Sequence, residues 1–448
     1  MLTQRGPMST NAPPRRSLAG LVAHVRTPLY RNAYAWLIST GLSSGLGILY
    51  WVLAARLYTP AVVGFSAALV SSMIFIAGVS QLNLMSALVR FLPVAGPRSA
   101  RFAATAYGLS LALALIVSTL FAILSNYIQG LDFYLFNLRS AVLFILATMA
   151  WTVFNLQDSV LTGLRASVWV PVDNIAYGVA KIVALAVLAP RLPTWGIFVS
   201  WTVPALVLLL PFNWLIFARL IPRHVRTTAA SGGALRVRQI GKYIASNYLG
   251  SLFTLTTGRL LPTLVVALAG TTAAAYFYLA WTISNSLKLA TAQMATSLTV
   301  EGALDRATIA HSGAKFLRLM LGLFVPGVLA LVLGAPLLLR LSGPDYSAQG
   351  ALLLRLLSLA ILPALVVSWY LSVARVRHQL REIILAEGSL AVLTLGLSYV
   401  LIRQSGVTGV GVAALVSASI VALALAPRIW LTLRPEPAAS PTGLDVAA

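Results

Sequence analysis

The chain has 448 residues, of which 59% are hydrophobic and 9% charged, and it contains no cysteine. A soluble chain of this length covers itself with charge, so the composition excludes an ordinary soluble domain; the lack of thiols excludes disulfides and thiolate metal sites. The formal net charge of +22 would suit a nucleic-acid binder only if it were gathered on a polar domain. No such domain exists, so no nucleic-acid partner is expected, and the charge reads as the positive-inside bias of a membrane protein.

Residues 1–32 are polar and bear arginines, without the pattern of a cleaved secretory signal. Apolar stretches long enough to cross about 30 Å of hydrocarbon follow. The first six are 33–53, 62–81, 103–123, 141–161, 170–188 and 195–217. A polar, Arg-rich stretch at 219–242 separates them from six more, at 243–268, 273–298, 316–339, 352–373, 383–401 and 407–429. Residues 431–448, rich in Pro and Ala, are expected to be a disordered tail. Spanning segments must be helical, because lipid satisfies no open backbone group.

Of the 32 Lys and Arg residues, 23 fall on the side shared by the N-terminus and the 219–242 stretch, 6 on the other, and three inside spans. Both termini are therefore expected in the cytoplasm. The expected architecture is an all-α integral membrane protein of twelve helices in two six-helix bundles, 33–218 and 243–430, joined by a cytoplasmic linker. A weak likeness between the halves supports it: Ala55-Arg56-Leu57 with Val62-Val63-Gly64-Phe65 opens the second span, and Ala267-Leu268-Ala269 with Ala273-Ala274-Ala275-Tyr276-Phe277 opens the eighth. Two parallel bundles place a substrate path between them near the midplane.

Catalytic chemistry has no evident place. His24, His224, His311 and His378 are scattered, and no His/Cys/Asp/Glu cluster has metal spacing. No phosphate-cradling Gly-rich loop with a following Lys is present. The outer loops hold only Asp132 and Asp345, far apart, which gives general acid–base work no carboxylate pair. Neither an enzyme nor a cofactor is expected.

Ionisable residues within spans are costly and mark functional paths by default. The deep ones are Lys181, Arg259 and Lys288, all cations. Arg259 stays charged, and Ser246, Gly250, Thr254 and Thr257 recur before it at helical spacing, laying a polar stripe on one helix face. That argues for a cavity wall over an arginine that snorkels to the interface. Lys288 follows Ser284, Asn285 and Ser286, too polar a run for lipid; it lines a cavity or pairs with an acid elsewhere. Lys181 serves a cavity or helix packing. Arg26 and Arg31 read as anchors, with Arg31 also placed to greet an anionic head group. Asp158, Arg165 and Asp173 read as a charge cluster at the cytoplasmic edge rather than an ion site. Gly41-Leu42-Ser43-Ser44-Gly45 reads as a close helix contact.

Ala55-Arg56-Leu57-Tyr58-Thr59-Pro60, Gly64-Phe65 and Leu88-Val89-Arg90-Phe91-Leu92-Pro93 resemble the first two helices of polysaccharide-biosynthesis flippases. These form the Wzx-like branch of the multidrug/oligosaccharidyl-lipid/polysaccharide exporter superfamily. Tyr276-Phe277-Tyr278-Leu279-Ala280 and Leu341-Ser342-Gly343-Pro344-Asp345-Tyr346 resemble its second half. The resemblance implies export of a polyprenyl-pyrophosphate-linked oligosaccharide across a bacterial cytoplasmic membrane by alternating access. It also implies membrane lipids and the polymerase or glycosyltransferases of the same pathway as partners. Deep cations suit a pyrophosphate. The murein-precursor flippases of the superfamily have more helices than twelve, which argues against that branch. A drug/cation antiporter would want a deep acid, and a major-facilitator carrier would show an acid in the Arg90–Arg98 loop, which has none.

Overall fold

The computed structural model describes residues 28–125, 127, 137–228, 237–304, 306–377 and 379–433. They form fifteen α-helices: α1 (Pro28–Leu57), α2 (Pro60–Ser80), α3 (Leu84–Phe91), α4 (Ser99–Ser125), α5 (Leu138–Gly163), α6 (Trp169–Leu188), α7 (Gly196–Trp214), α8 (Ile221–Thr228), α9 (Val237–Arg259), α10 (Leu261–Leu304), α11 (Arg306–Arg340), α12 (Pro344–Leu359), α13 (Ile361–Val376), α14 (Leu380–Ser405) and α15 (Thr408–Leu433). The short α3 and α8 lie outside the expected spans.

Each of the twelve expected spans coincides with helix. Ten stretches of described helix are long and apolar enough to cross a membrane. The difference lies in two places. The described apolar part of α1 is the shorter Gly41–Leu57, and one stretch, Gly250–Ala292, holds the seventh and eighth spans together. Those two are separated at Gly270, whose φ of +83° and ψ of 170° break α10; a side chain there would be strained, and glycine is not.

Proline shapes other helices. Pro204 and Pro211 sit inside α7, which runs on into a π-helical turn over Leu215–Leu220. Pro336 interrupts α11 and leaves the carbonyl of Val332 without its helical donor. Arg355 Nε donates to that carbonyl at 3.2 Å. A residue read from sequence as a topology-setting cation therefore also serves the backbone, as an orphaned carbonyl near lipid requires.

α2 and α10 cross most tightly. A Cβ on Gly64 would stand 1.8 Å from the Thr271 carbonyl oxygen, which only glycine permits. At the same end, Arg56 Nε donates to the Leu341 carbonyl at 2.7 Å and Nη2 to that of Arg340 at 3.3 Å. Tyr346, 3% exposed, meets Tyr276 edge-on at 5.1 Å. Arg56, Gly64, Tyr276, Leu341 and Tyr346 thus tie α1, α2, α10 and the α11–α12 turn together. At the opposite end the contacts are side chain against side chain: Arg90 lies over the Tyr243 ring at 4.8 Å, and Phe91 meets that ring edge-on. Tyr248 donates to the Val79 carbonyl at 3.1 Å.

The polar core follows the close-packing expected of membrane helices, with Ser and Thr hydroxyls returned to carbonyls one turn back. Thr148 donates to Phe144 and Thr152 to Thr148, while Ser72 and Thr263 pair across α2 and α10 at 2.9 Å.

Candidate substrate cavity and the deep cations

Two concavities open among the described residues. The first, of about 80 Å³, is walled by Thr257 and Gly258 of α9, Ser284, Asn285 and Lys288 of α10, and apolar residues from α12–α15 such as Ile361 and Ala418. Lys288 is exposed to this space and has no carboxylate partner among the described residues. Lys288 lines a small cavity with one amide, Asn285, and three hydroxyls, Thr257, Ser284 and Thr394, on the wall, which suits an anionic ligand flanked by hydrogen-bonding groups.

The second concavity, about 290 Å³, lies at the Arg90 end between α3 and the α9/α14 pair. It is bounded by Asn83, Ser86, Tyr243, Thr254, Arg375 and Glu387. Here Thr254 Oγ1 donates to Glu387 Oε2 at 2.9 Å, and Arg375 bridges Glu387 Oε1 at 2.9 Å. The polar stripe expected on one face of α9 therefore divides. Thr257 belongs to the Lys288 cavity and Thr254 to the second cleft; the Ser246 side chain falls outside the described residues.

Of the three deep cations, only Lys288 lines the first concavity. Lys181 is 6% exposed, with its ammonium 4.1 Å from the Trp201 ring centroid, 5.0 Å from Tyr177 and 5.1 Å from Tyr50. It forms no hydrogen bond or ion pair among the described residues. Three rings from α1, α6 and α7 stand in for a counter-ion through their negative faces. The cage is itself fixed: Tyr50 donates to the Ile197 carbonyl at 2.8 Å and Tyr177 to the Trp201 carbonyl at 3.0 Å. Lys181 is thus enclosed by rings from three helices.

Arg259, partly buried at the end of α9, lies near Tyr278 of α10. Tyr278 meets Trp51 at a tilt with ring centroids 4.5 Å apart, and Trp51 meets Trp201 in the same way at 5.8 Å. An aromatic run therefore separates Arg259 from the Lys181 cage. Arg31 lies on α1, and its side chain falls outside the described residues.

The expected edge cluster of Asp158, Arg165 and Asp173 also differs. Asp173 is wholly buried, Arg165 is exposed in the α5–α6 turn, and neither carboxylate has an ion pair among the described residues. Asp173 accepts from Gln157 and Asp158 from Asn174, while Asn213 donates to Gln157. Gln157 and Asn213 were missed by attending to charges alone; as amides inside apolar helices they carry the same signal.

No family model matches the chain, and no curated protein matches it in sequence. Solved structures match it over most of its length. One is the inward-closed conformation of the lipid II flippase MurJ, with a TM-score of 0.66 and 13% identity over 89% of this chain and 87% of that one. Another is the inward-facing conformation of a multidrug resistance MATE family transporter of the MOP superfamily, with a TM-score of 0.61 and 17% identity over 88% of this chain and 94% of that one. A MATE in complex with MaL6 matches with a TM-score of 0.57 and 17% identity, covering 88% and 95%. The chain has the MATE/MurJ membrane-transporter fold. That is the fold implied by the motif at Ala55–Pro60, and within it Arg56 of that motif ties α1 to the α11–α12 turn. In this fold the Lys288 cavity is walled wholly by second-half helices.

Proposed function

We propose that this protein is a flippase that carries a polyprenyl-pyrophosphate-linked oligosaccharide across a bacterial cytoplasmic membrane by alternating access. One observation carries the reading: Lys288 lines a cavity walled by Thr257, Ser284 and Asn285, with no acid beside it among the described residues. A deep cation facing such a space recognises an anion, and the hydroxyl and amide groups can bind sugar hydroxyls. The chain divides into bundles 33–218 and 243–430, with both termini in the cytoplasm; the tightly tied Arg56 end faces outward and the Arg90 end inward. Each bundle moves as a unit, and the Gly64–Thr271 crossing parts when the outer side opens.

A second reading has its own support. Asp173 is a wholly buried acid, the feature an antiporter of organic cations requires and one not evident from the sequence. The test is a leaflet assay on proteoliposomes carrying a lipid-linked oligosaccharide, beside vesicles carrying the same lipid as a neutral alcohol and vesicles loaded with an organic dye cation. The flippase reading expects transfer of the pyrophosphate form alone; efflux of the dye without lipid transfer would establish the antiporter instead. Reporter fusions at Gly232 and Gly343 are expected to read inside and outside, and the reverse would overturn the orientation.

A further inference from the structure

The two concavities follow one another along the same helices. On α9 the second cleft takes Ser251 and Thr254, and the Lys288 cavity takes Thr257 and Gly258. On α14 the cleft takes Ile383 and Glu387, and the cavity takes Leu390 and Thr394. Three residues along a helix advance about 4.5 Å and stay on neighbouring positions of one face. A track therefore runs between α9 and α14 from the Arg90 end to Lys288, and adjoining parts of one molecule can fill both spaces.

The chemistry of the cleft differs from that of the cavity. Its charged wall groups, Arg375 and Glu387, neutralise each other at 2.9 Å. What the cleft offers is hydrogen bonding. Glu387 Oε1 accepts from Arg375 and Oε2 from Thr254, which leaves lone pairs on both oxygens. Arg375 is exposed and spends a single N–H on that pair, with others of its five to give. Asn83 Oδ1 accepts from Ser86 at 2.9 Å, and the Asn83 side-chain N–H groups have no partner among the described residues. Leu380 and Ile383 add a short apolar edge. Asn83 is held there under strain: it and Leu82 have φ of +61° and +47° at the turn from α2 into α3. Two successive non-glycine residues in that region are costly, and such strain collects at binding sites.

An organic cation of drug size suits an apolar pocket, and an anion suits an unpaired cation. A neutral wall of mixed donors and acceptors instead fits a group whose every hydroxyl both donates and accepts. At about 290 Å³ the cleft lies at the small end of ligand pockets, with room for a sugar ring rather than a long chain.

We propose that Asn83, Thr254, Arg375 and Glu387 form the site for an uncharged sugar ring, the one that adjoins the pyrophosphate met by Lys288. The proposal deepens the flippase reading and rests on it. Asn83 stands on the first half and the other three on the second, so a ring in the cleft bonds to both and holds the Arg90 end closed. A carrier lipid without sugar makes no such bond.

The test uses the full-length chain in lipid nanodiscs. The chain has no cysteine, so one introduced thiol reports each space through its rate of maleimide labelling. Leu380→Cys, at a position 40% exposed, reports the cleft, and Ala364→Cys reports the Lys288 cavity. Three probes are compared: polyprenyl pyrophosphate, the same lipid bearing glucose, and the same lipid bearing glucuronate. The bare lipid slows labelling of Ala364→Cys alone, and the glucose lipid slows both. The glucuronate lipid leaves Leu380→Cys no slower than the bare lipid does, because its carboxylate meets Glu387 with Arg375 already paired. Glu387→Gln and Asn83→Ala each reduce the gain in affinity that glucose confers over the bare lipid by about tenfold, with the thermal midpoint of each variant measured alongside. Slowing of Ala364→Cys without Leu380→Cys by the glucose lipid overturns this proposal and leaves the flippase reading standing. Equal slowing of Leu380→Cys by bare and glucose lipids also overturns it, as does equal slowing by glucose and glucuronate lipids. Labelling of both thiols indifferent to all three lipids overturns the flippase reading and the proposal with it.

Discussion

Lys181 and Lys288 are both lysines inside apolar helices, and the fold treats them in opposite ways. Lys181 is closed in by Tyr50, Tyr177 and Trp201, and its charge is consumed by the rings around it. Lys288 lines a cavity beside Ser284 and Asn285, with no acid paired to it among the described residues. A deep cation is therefore not by itself a ligand site; what matters is whether the surrounding side chains have already met its electrostatic demand. The first half encloses its lysine among three helices, and the second sets its lysine on a cavity wall, where the proposed function has it meet an anion.

The difference can be broken from either side. The largest effect is expected for Lys288→Ala in lipid transfer. Losing a charge-assisted contact to a pyrophosphate forfeits about 2 kcal/mol, or ~30-fold in rate at limiting cargo, without change in the thermal midpoint. Lys181 should show the reverse split. Lys181→Ala leaves a void among three rings and lowers stability by about 2–4 kcal/mol; Lys181→Met keeps the volume and stays within about 1 kcal/mol of the parent in denaturant unfolding, with transfer preserved. A transport defect in Lys181→Met would place that lysine on the path after all.

The comparison of the two ends gives smaller effects. Gly64→Ala puts a Cβ against the Thr271 carbonyl and should force α2 from α10. The chain has no native cysteine, so a single Ser342→Cys, at a position 2% exposed, reports the change; maleimide labelling should quicken about tenfold in the Gly64→Ala background. Arg56→Gln removes two bonds to carbonyls at the same end and should quicken it by about fivefold.

Hydropathy and the alternation of basic loops located all twelve helices, because bilayer thickness and backbone hydrogen bonding act on each span separately. The boundary between the seventh and eighth spans was read at 268–273, around Gly270; the backbone form of the break was not, since a lone glycine in an apolar run carries no sign of its φ. The Ala55–Pro60 and Leu341–Tyr346 motifs were legible as family marks, but not as partners: Arg56 meets the Leu341 carbonyl only because two distant turns fold together. Of the cavity wall, Lys288, Asn285 and Thr257 could be read from local polarity. Thr254 went elsewhere because Glu387, on α14, competes for it. The cage of Lys181 draws its rings from α1, α6 and α7, and periodicity within one helix says nothing of that convergence. The burial of Asp173 was not legible for the same reason: its partner Gln157 comes from another span.

The most direct test of the account is lipid transfer by the unaltered protein, Lys288→Ala and Lys181→Met, side by side in proteoliposomes with a pyrophosphate-linked oligosaccharide. The account predicts transfer by the parent and by Lys181→Met, with the rate of Lys288→Ala reduced at least tenfold. Parental transfer by Lys288→Ala, or loss confined to Lys181→Met, would contradict it.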